Sequence, residues 1–401
     1  MKKPIVFLLI LALACSFLPF AAADSGRLEG AGYDTPEEAL LAYIDALNRG
    51  DVGEMLSTFA QESYVEHADP SVQMNVRGFS LTHDLLSIPC PDDYSRSLVL
   101  HARYGSLANS LLQSVVECAA KLDGRPISFK TSEERKEFAA LFADSPLNGL
   151  IGHVEFVRWL SPVDLTDGGF PDSIVTSGIP LALSGGDDYT ELAALLEING
   201  YPAVQTMQCV RYGEKWYNMN FGGIAAYALG GASLEIPLHV LTPEGQQKLE
   251  AALAADYPEE NARWDALQRS GLSGARFSLS SLTGREIAVH GSPEDAKADG
   301  GMGLWAELHF FRTGAAMVTL AASPALQEKL SMDDAVARLL LSWTPGKGVE
   351  EYAYGAVAGR PVNPLYPADI QYDFSGFSVI SGDSSVAFVL PDGAEAVFIR
   401  P

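Results

Sequence analysis

Asp34-Thr-Pro-Glu-Glu-Ala-Leu-Leu-Ala-Tyr-Ile-Asp-Ala-Leu-Asn-Arg-Gly-Asp-Val-Gly-Glu-Met-Leu-Ser-Thr-Phe59 punctuates two consecutive helices. Thr35 suits the cap, Pro36 the first helical position, and Glu38 completes a capping box. Leu40, Tyr43, Ile44 and Leu47 fall at i, i+3, i+4 and i+7, so they form one apolar face of a helix. Gly50 stands where a helix end needs a left-handed residue. Asp51 at once caps a second helix, whose apolar side is Val52, Met55, Leu56 and Phe59. Two such helices bury their faces only against a sheet or other helices, so the stretch predicts a layered fold.

The chain around it has 401 residues, more than one core usually organises, and two domains are expected. Hydrophobic residues at 47% and charged residues at 19% mark a folded protein. Met1-Lys-Lys-Pro-Ile-Val-Phe-Leu-Leu-Ile10 starts basic and turns apolar, and Ala21-Ala-Ala23 offers small residues for cleavage. Residues 1–23 therefore read as a secretory signal peptide cut before Asp24. A rival reading makes Leu13-Ala-Cys15 a lipoprotein cut site with the lipid on Cys15. No later run approaches the roughly 18 apolar residues of a spanning helix. The expected location is extracytoplasmic: secreted or at the cell surface.

Without Lys2 and Lys3 the formal net charge moves from -24 to about -26. Such an excess repels phosphate backbones, which excludes nucleic acid as a partner; solubility alone accounts for it. Of the remaining cysteines, Cys90 in a Pro-Cys-Pro turn and Cys118 late in a helix are candidates for a disulfide, an open alternative to free thiols. Cys209 sits inside a strand pattern and reads as a small buried hydrophobe.

Along the chain, residues 24–32 are a short polar tether. Residues 33–233 read as an α+β domain with a long helical insertion over about 72–150, including a helix from Arg96 to Leu122. β-Rich segments follow at 152–165, 192–198, 204–212 and 216–221, the last three forming an antiparallel meander around Asn199-Gly200 and Gly213-Glu214-Lys215. Residues 234–270 look like a helical connector, with helices near 242–253 and 258–267. Residues 271–401 form a second, β-rich α+β domain, with strands expected at 277–289, 304–311, 315–321, 370–374, 377–380, 386–390 and 394–399. A helix is expected over 324–341.

Chemistry is hard to find. The histidines at 67, 83, 101, 153, 239, 290 and 309 make no His-x-x-x-His pair, which excludes a zincin helix. There is no Cys-x-x-Cys, Gly-x-Ser-x-Gly, Ser-x-x-Lys, Gly-x-Gly-x-x-Gly or P-loop. No cofactor is expected. Asp164 to Asp172 and Gly185-Gly-Asp-Asp188 hold carboxylates that suit calcium, but they lack EF-hand spacing and read as turns.

The helix pair from Thr35 to Phe59, together with the hairpin Gln208-Cys-Val-Arg-Tyr-Gly-Glu-Lys-Trp-Tyr217, resembles the NTF2-like (cystatin-like, SnoaL-type) superfamily, especially its exported bacterial members of unknown function. The resemblance covers the first half of the chain. It implies a curved antiparallel sheet wrapped on helices to form a conical cavity, in which catalytic members use a His or carboxylate near the mouth as base. Tyr64, Glu66, His67 and Asp69 would then stand at the mouth, and Trp159 and Trp216 would supply aromatic walls. Ordinary packing for the aromatics and an exposed acidic face for the carboxylates explain the same residues.

Three functions follow as expectations. The leading one is an exported non-enzymatic envelope or extracellular protein that binds a small ligand or a partner protein through the NTF2-like domain. A cofactor-independent hydrolase or isomerase with His67 as base is the alternative, and a purely structural surface protein is the third. An open cavity favours the first two; a cavity filled from residues 72–150 favours the last.

Overall fold

The computed structural model describes residues 27–68, 92–122, 131–133, 136, 147–165, 184–222, 238–255, 257–330, 336–344, 348–356, 378–381, 384–389 and 393–401. The signal peptide with Cys15, the residues Asp69 and Cys90, most of the insertion on either side of 92–122, and the strand expected at 370–374 lie outside them.

The opening stretch folds as its punctuation dictates. Helix α1 (Pro36–Arg49) is capped by Thr35 Oγ1, which accepts from Glu38 N, and it ends at Gly50 with φ 69°. The Glu38 carboxylate reaches back to Asp34 N at 3.1 Å. Asp51 caps α2 (Val52–Ser57) through Glu54 N. A third short helix, α3 (Glu62–His67), follows. Residues ahead of α1 are clasped to the start of α3: the buried Glu29 carboxylate accepts from Gln61 N at 2.6 Å and Ser63 N at 3.0 Å, while Glu62 accepts from Leu28 N at 2.7 Å and Glu29 N at 2.9 Å. The two bonds to Glu29 satisfy backbone donors that the start of α3 leaves without partners.

The long helix α4 (Asp93–Leu122) is followed by α5 (Leu147–Ile151), strand β1 (Val154–Leu160), a single turn α6 (Pro162–Leu165), β2 (Asp188–Ile198), β3 (Tyr201–Tyr212), β4 (Lys215–Phe221) and β5 (Leu238–Val240). The strands form an antiparallel sheet in the order β1-β2-β3-β4, with β5 pairing β3 beyond the end of β4. Residues Asn199 and Gly200 both take positive φ, as a two-residue hairpin turn demands. The ladder slips at Val157 in β1 and between Gln208 and Cys209 in β3, and such bulges bend a sheet.

Both faces of this sheet are buried. On one, Ala194, Leu196, Ile198, Met207, Cys209 and Trp216 meet the α1 row Leu40, Tyr43, Ile44 and Leu47. Asn218 reaches from this face to Ala39 O and Thr58 Oγ1, both at 2.9 Å. The other face packs partly on α7 (Pro243–Ala255) through Leu249, and partly on the second domain.

Helix α8 (Pro258–Gln268) leads into that domain. Its elements are β6 (Arg276–Leu282), β7 (Ala288–Val289), α9 (Pro293–Ala298), β8 (Gly303–Phe310), β9 (Ala315–Ala322), α10 (Pro324–Leu330), β10 (Val336–Thr344), β11 (Gly348–Ala356), β12 (Ser378–Ser381), β13 (Ser385–Val389) and β14 (Glu395–Ile399). The whole is α+β, helices first and antiparallel sheet after, repeated once. The helix expected over 324–341 stops at Leu330, and Val336–Thr344 is a strand in register with β9, Leu339 opposite Val318 and Leu341 opposite Ala316. A short apolar run such as Leu339-Leu-Leu341 suits either element, and pairing with a neighbour chose the strand. The strands expected at 377–380, 386–390 and 394–399 are in place within a residue or two.

Candidate functional site

The cone between α1 and the sheet, where the resemblance would put a site, is filled. Helix α4 carries Leu107, Leu111, Val115 and Cys118 along one stripe, and all four are buried in the same core as Tyr43, Met207 and Trp216. Tyr43, Phe59 and Phe221 pack ring to ring across the middle, with centroids 4.7–6.0 Å apart. Cys118 is a free thiol in this core, and burial pushes its pKa up to about 12. Cys209 is also a free, buried thiol.

Helix α4 is fixed by a buried cation. The Arg103 guanidinium donates from Nε to Ala60 O and from Nη2 to Met219 O, each at 2.7 Å, and lies 3.8 Å from the centroid of the Tyr64 ring. Burial pulls its pKa down, because a low-dielectric setting disfavours charge. Two backbone carbonyls and an aromatic face compensate that cost.

The residues proposed for a cavity mouth fall in different places. Tyr64 is buried on the outer face of the sheet, away from α1, in a cluster with Tyr189, Val210, Tyr212, Tyr217 and Met219. His67 is exposed at the end of α3; its Nδ1 donates to Ser63 O at 2.8 Å, and its ring lies 4.8 Å from that of Tyr212. Beneath it the turn at Gly185 passes so close that a Cβ there would sit 2.0 Å from His67 O, so only glycine fits. Trp216 is on the opposite face, its ring under the Arg312 guanidinium at 4.9 Å. Trp159 sits on β1 against Phe156 with β2 and β3 between it and Trp216. Tyr64 and His67 thus share one neighbour, Tyr212, but neither meets the tryptophans. Side-chain alternation explains the split: Trp216 and Tyr217 are successive residues of one strand and must point to opposite faces.

What the tyrosine cluster does meet is the second domain. The turn after β8 delivers Phe311, fully buried, and Ala315 into it. Polar contacts surround the insertion. Asp188 is buried, and its Oδ1 accepts from Arg312 N at 3.0 Å and Tyr189 N at 2.9 Å. Burial raises its pKa, against those hydrogen bonds and the Arg312 charge, which lower it. His309 donates from Nε2 to Asp187 O at 2.8 Å, and burial together with Arg276 pulls its pKa down to about 3, so the ring is neutral. Arg276 bridges Asp187 at 3.3 Å and Glu307 at 3.2 Å. The carboxylates of Gly185-Gly-Asp-Asp188, weighed above as calcium ligands, are engaged here. Among the described residues no group of three His, Cys, Asp or Glu side chains is placed to hold a metal ion, and no helix is long and apolar enough to cross a membrane.

Arg103 escaped the sequence reading, although the signal was present: it stands one turn before Leu107 on the apolar stripe of α4. Nothing in the sequence marks Arg312, His309 or Phe311, because their partners in the first domain are about ninety residues or more away in the chain.

No protein-family model matches the sequence, and no curated protein matches it. A comparison with solved structures finds a cystatin-like protein from Ruminococcus gnavus ATCC 29149, 10% identical, over 80% of this chain and 89% of that one, with a TM-score of 0.26. A likeness that loose decides nothing about the site.

Proposed function

We propose that this is an exported, non-enzymatic structural protein of the bacterial envelope or exterior, the third of the expected readings, whose NTF2-like first domain is a rigid scaffold that meets other proteins through its outer surface. One observation carries the reading: Leu107, Leu111, Val115 and Cys118 of α4 occupy the space in which a cavity of that family would lie. With that space filled, a small ligand or substrate has no room against the sheet, and recognition falls to the outer surface. His67 supports the same reading, since its ring is exposed and apart from Trp159 and Trp216. A general base needs a pocket that excludes water and holds a substrate within hydrogen-bond reach. Export rests on the basic and apolar start of the chain.

Crystals under xenon pressure test the central point, because xenon enters apolar voids that water avoids. The expected result is no xenon between α1 and the sheet in the natural protein, and a bound atom there in Leu111→Ala. Xenon at that place in the natural protein would overturn the scaffold reading. The intact mass of protein secreted by a Gram-positive host addresses export: a chain beginning at Asp24 supports it, and an uncleaved chain retained in the cell removes it.

A further inference from the structure

The two domains meet along two strips of different chemistry. On one, Val163 of α6 packs with Trp264 and Leu267 of α8. Asn261 of α8 accepts from Ser161 Oγ at 2.7 Å and donates from Nδ2 to Asp164 Oδ1 at 2.8 Å. A protonated carboxyl keeps an acceptor oxygen, so this strip holds in acid as it does at neutral pH. The other strip joins the start of β2 and the end of β3 to the turn between β8 and β9. There Phe311 enters the tyrosine cluster, and charges surround it. Arg276 bridges Asp187 and Glu307, Arg312 lies 3.8 Å from Asp188, and Arg211 stands so close to Gly274 that a Cβ there would overlap its guanidinium.

His309 sits among these charges, and the setting suits only its neutral form. Its Nε2 donates to Asp187 O across the junction, and among the described residues nothing accepts from its other nitrogen. Arg276, opposite it on β6, and Arg211 of β3 bring two positive charges near the ring, and Asp187 brings one negative charge; Met317, opposite it on β9, brings none. A second proton would make a buried cation with no acceptor beside two others. Asp188 titrates in the other direction. Burial raises its pKa, and protonation at Oδ2 leaves Oδ1 to accept from Arg312 N and Tyr189 N, so acid keeps both of those bonds.

We infer that the turn between β8 and β9 is an acid-opened latch on the start of β2, and that the contact of α6 with α8 is the hinge about which it opens. At neutral pH His309 is uncharged and the latch is shut. In acid the turn leaves the first domain, His309 takes its proton in water, and both sheets stay paired. The asymmetry of the junction sets this direction, since one strip carries the buried histidine among cations and the other carries apolar contacts and an amide. Opening bares Phe311 and the tyrosines, an apolar surface that is closed at neutral pH.

Hydrogen exchange of the full mature chain, resolved to single amides and corrected for the intrinsic effect of pH, tests the latch. The Arg312 amide is the reporter, because its acceptor, Asp188 Oδ1, lies across the junction. It should exchange faster than the amides of Ile44 and Leu47 in α1, since the latch opens without global unfolding. Between pH 7 and pH 5 its exchange should accelerate by about twentyfold, the factor supplied by a histidine that gains its ordinary affinity for a proton only on opening. His309→Gln keeps a donor for Asp187 O and cannot titrate, so it should lose the acceleration. If that variant does not fold, the His309 ring resonances of the natural protein decide the matter, and they should show no titration between pH 7 and pH 5. An Arg312 amide no faster than those of α1, an acceleration that is missing or that persists in folded His309→Gln, or a ring that titrates in this range would each overturn the inference.

Discussion

In the first domain, a helix of 30 residues lays Leu107, Leu111, Val115 and Cys118 against the sheet, and the residues there are buried to the last few per cent. In the second, Trp264 and Leu267 of α8 and Val163 of α6 cover Phe277, Leu308 and Phe310, while Leu304, Leu320, Phe388 and Ala396 of the same cluster are only partly buried. Both interiors are built from Leu, Val, Ala and Phe. The difference lies in what covers them, so the composition of a wall says little about how completely it is packed.

The comparison breaks if truncation costs the same in both places. Leu111→Ala should destabilise the protein by about 3 kcal/mol, since a fully packed site adds a cavity term to the lost transfer energy. Urea unfolding with an unchanged slope measures it, and a cost near zero would mean that α4 is not the filler described here. Next in size, Arg103→Ala should cost between about 2 and 3 kcal/mol, because the carbonyls of Ala60 and Met219 lose a buried donor and Tyr64 its covering cation. A loss under about 0.5 kcal/mol would show that water replaces the guanidinium.

The junction between the two regions should respond to acid. His309 has a folded pKa of about 3, below the ordinary value near 6.5. Its contribution to stability is therefore complete above pH 6.5 and is lost as pH falls below that, because the unfolded chain takes up the proton first. Between pH 7 and pH 5 this amounts to about 2 kcal/mol. His309→Gln keeps an N–H for Asp187 O and cannot titrate, so its stability should lack that slope; an identical slope in both proteins would refute the assignment. The smallest effect sharpens the opening contrast. Leu320→Ala should cost only about 1 kcal/mol, since a partly accessible side chain leaves little new cavity, and a cost equal to that of Leu111→Ala would mean that Leu320 is packed as tightly as the α4 stripe.

Local structure was legible where the determinants are local. The caps at Thr35 and Asp51, the left-handed Gly50 and the Asn199-Gly200 turn act over three or four residues, and the chain adopts them as written. The hairpin ending at Trp216 was readable for the same reason. The strand at Val336–Thr344 was not, because its identity depends on a ladder with Ala315–Ala321. The candidate site followed the same divide. Tyr64 and His67 are near neighbours in sequence and do share Tyr212, whereas Trp216 belongs to the other face of the sheet and to the second domain's Arg312.

The sequence by itself determined the α+β class, the opening helix pair and the hairpins of the first domain, and an acidic composition that repels polyanions, since each depends on periodicity, capping or simple charge. Tertiary structure decided the rest. It sent α4 into the cone, wedged Phe311 between the tyrosines of the first domain, and left Leu304, Leu320, Phe388 and Ala396 of the second domain only partly buried. Which of two apolar surfaces meet is settled by shape and by the chain's path between them, and neither is written in the pattern of any one segment.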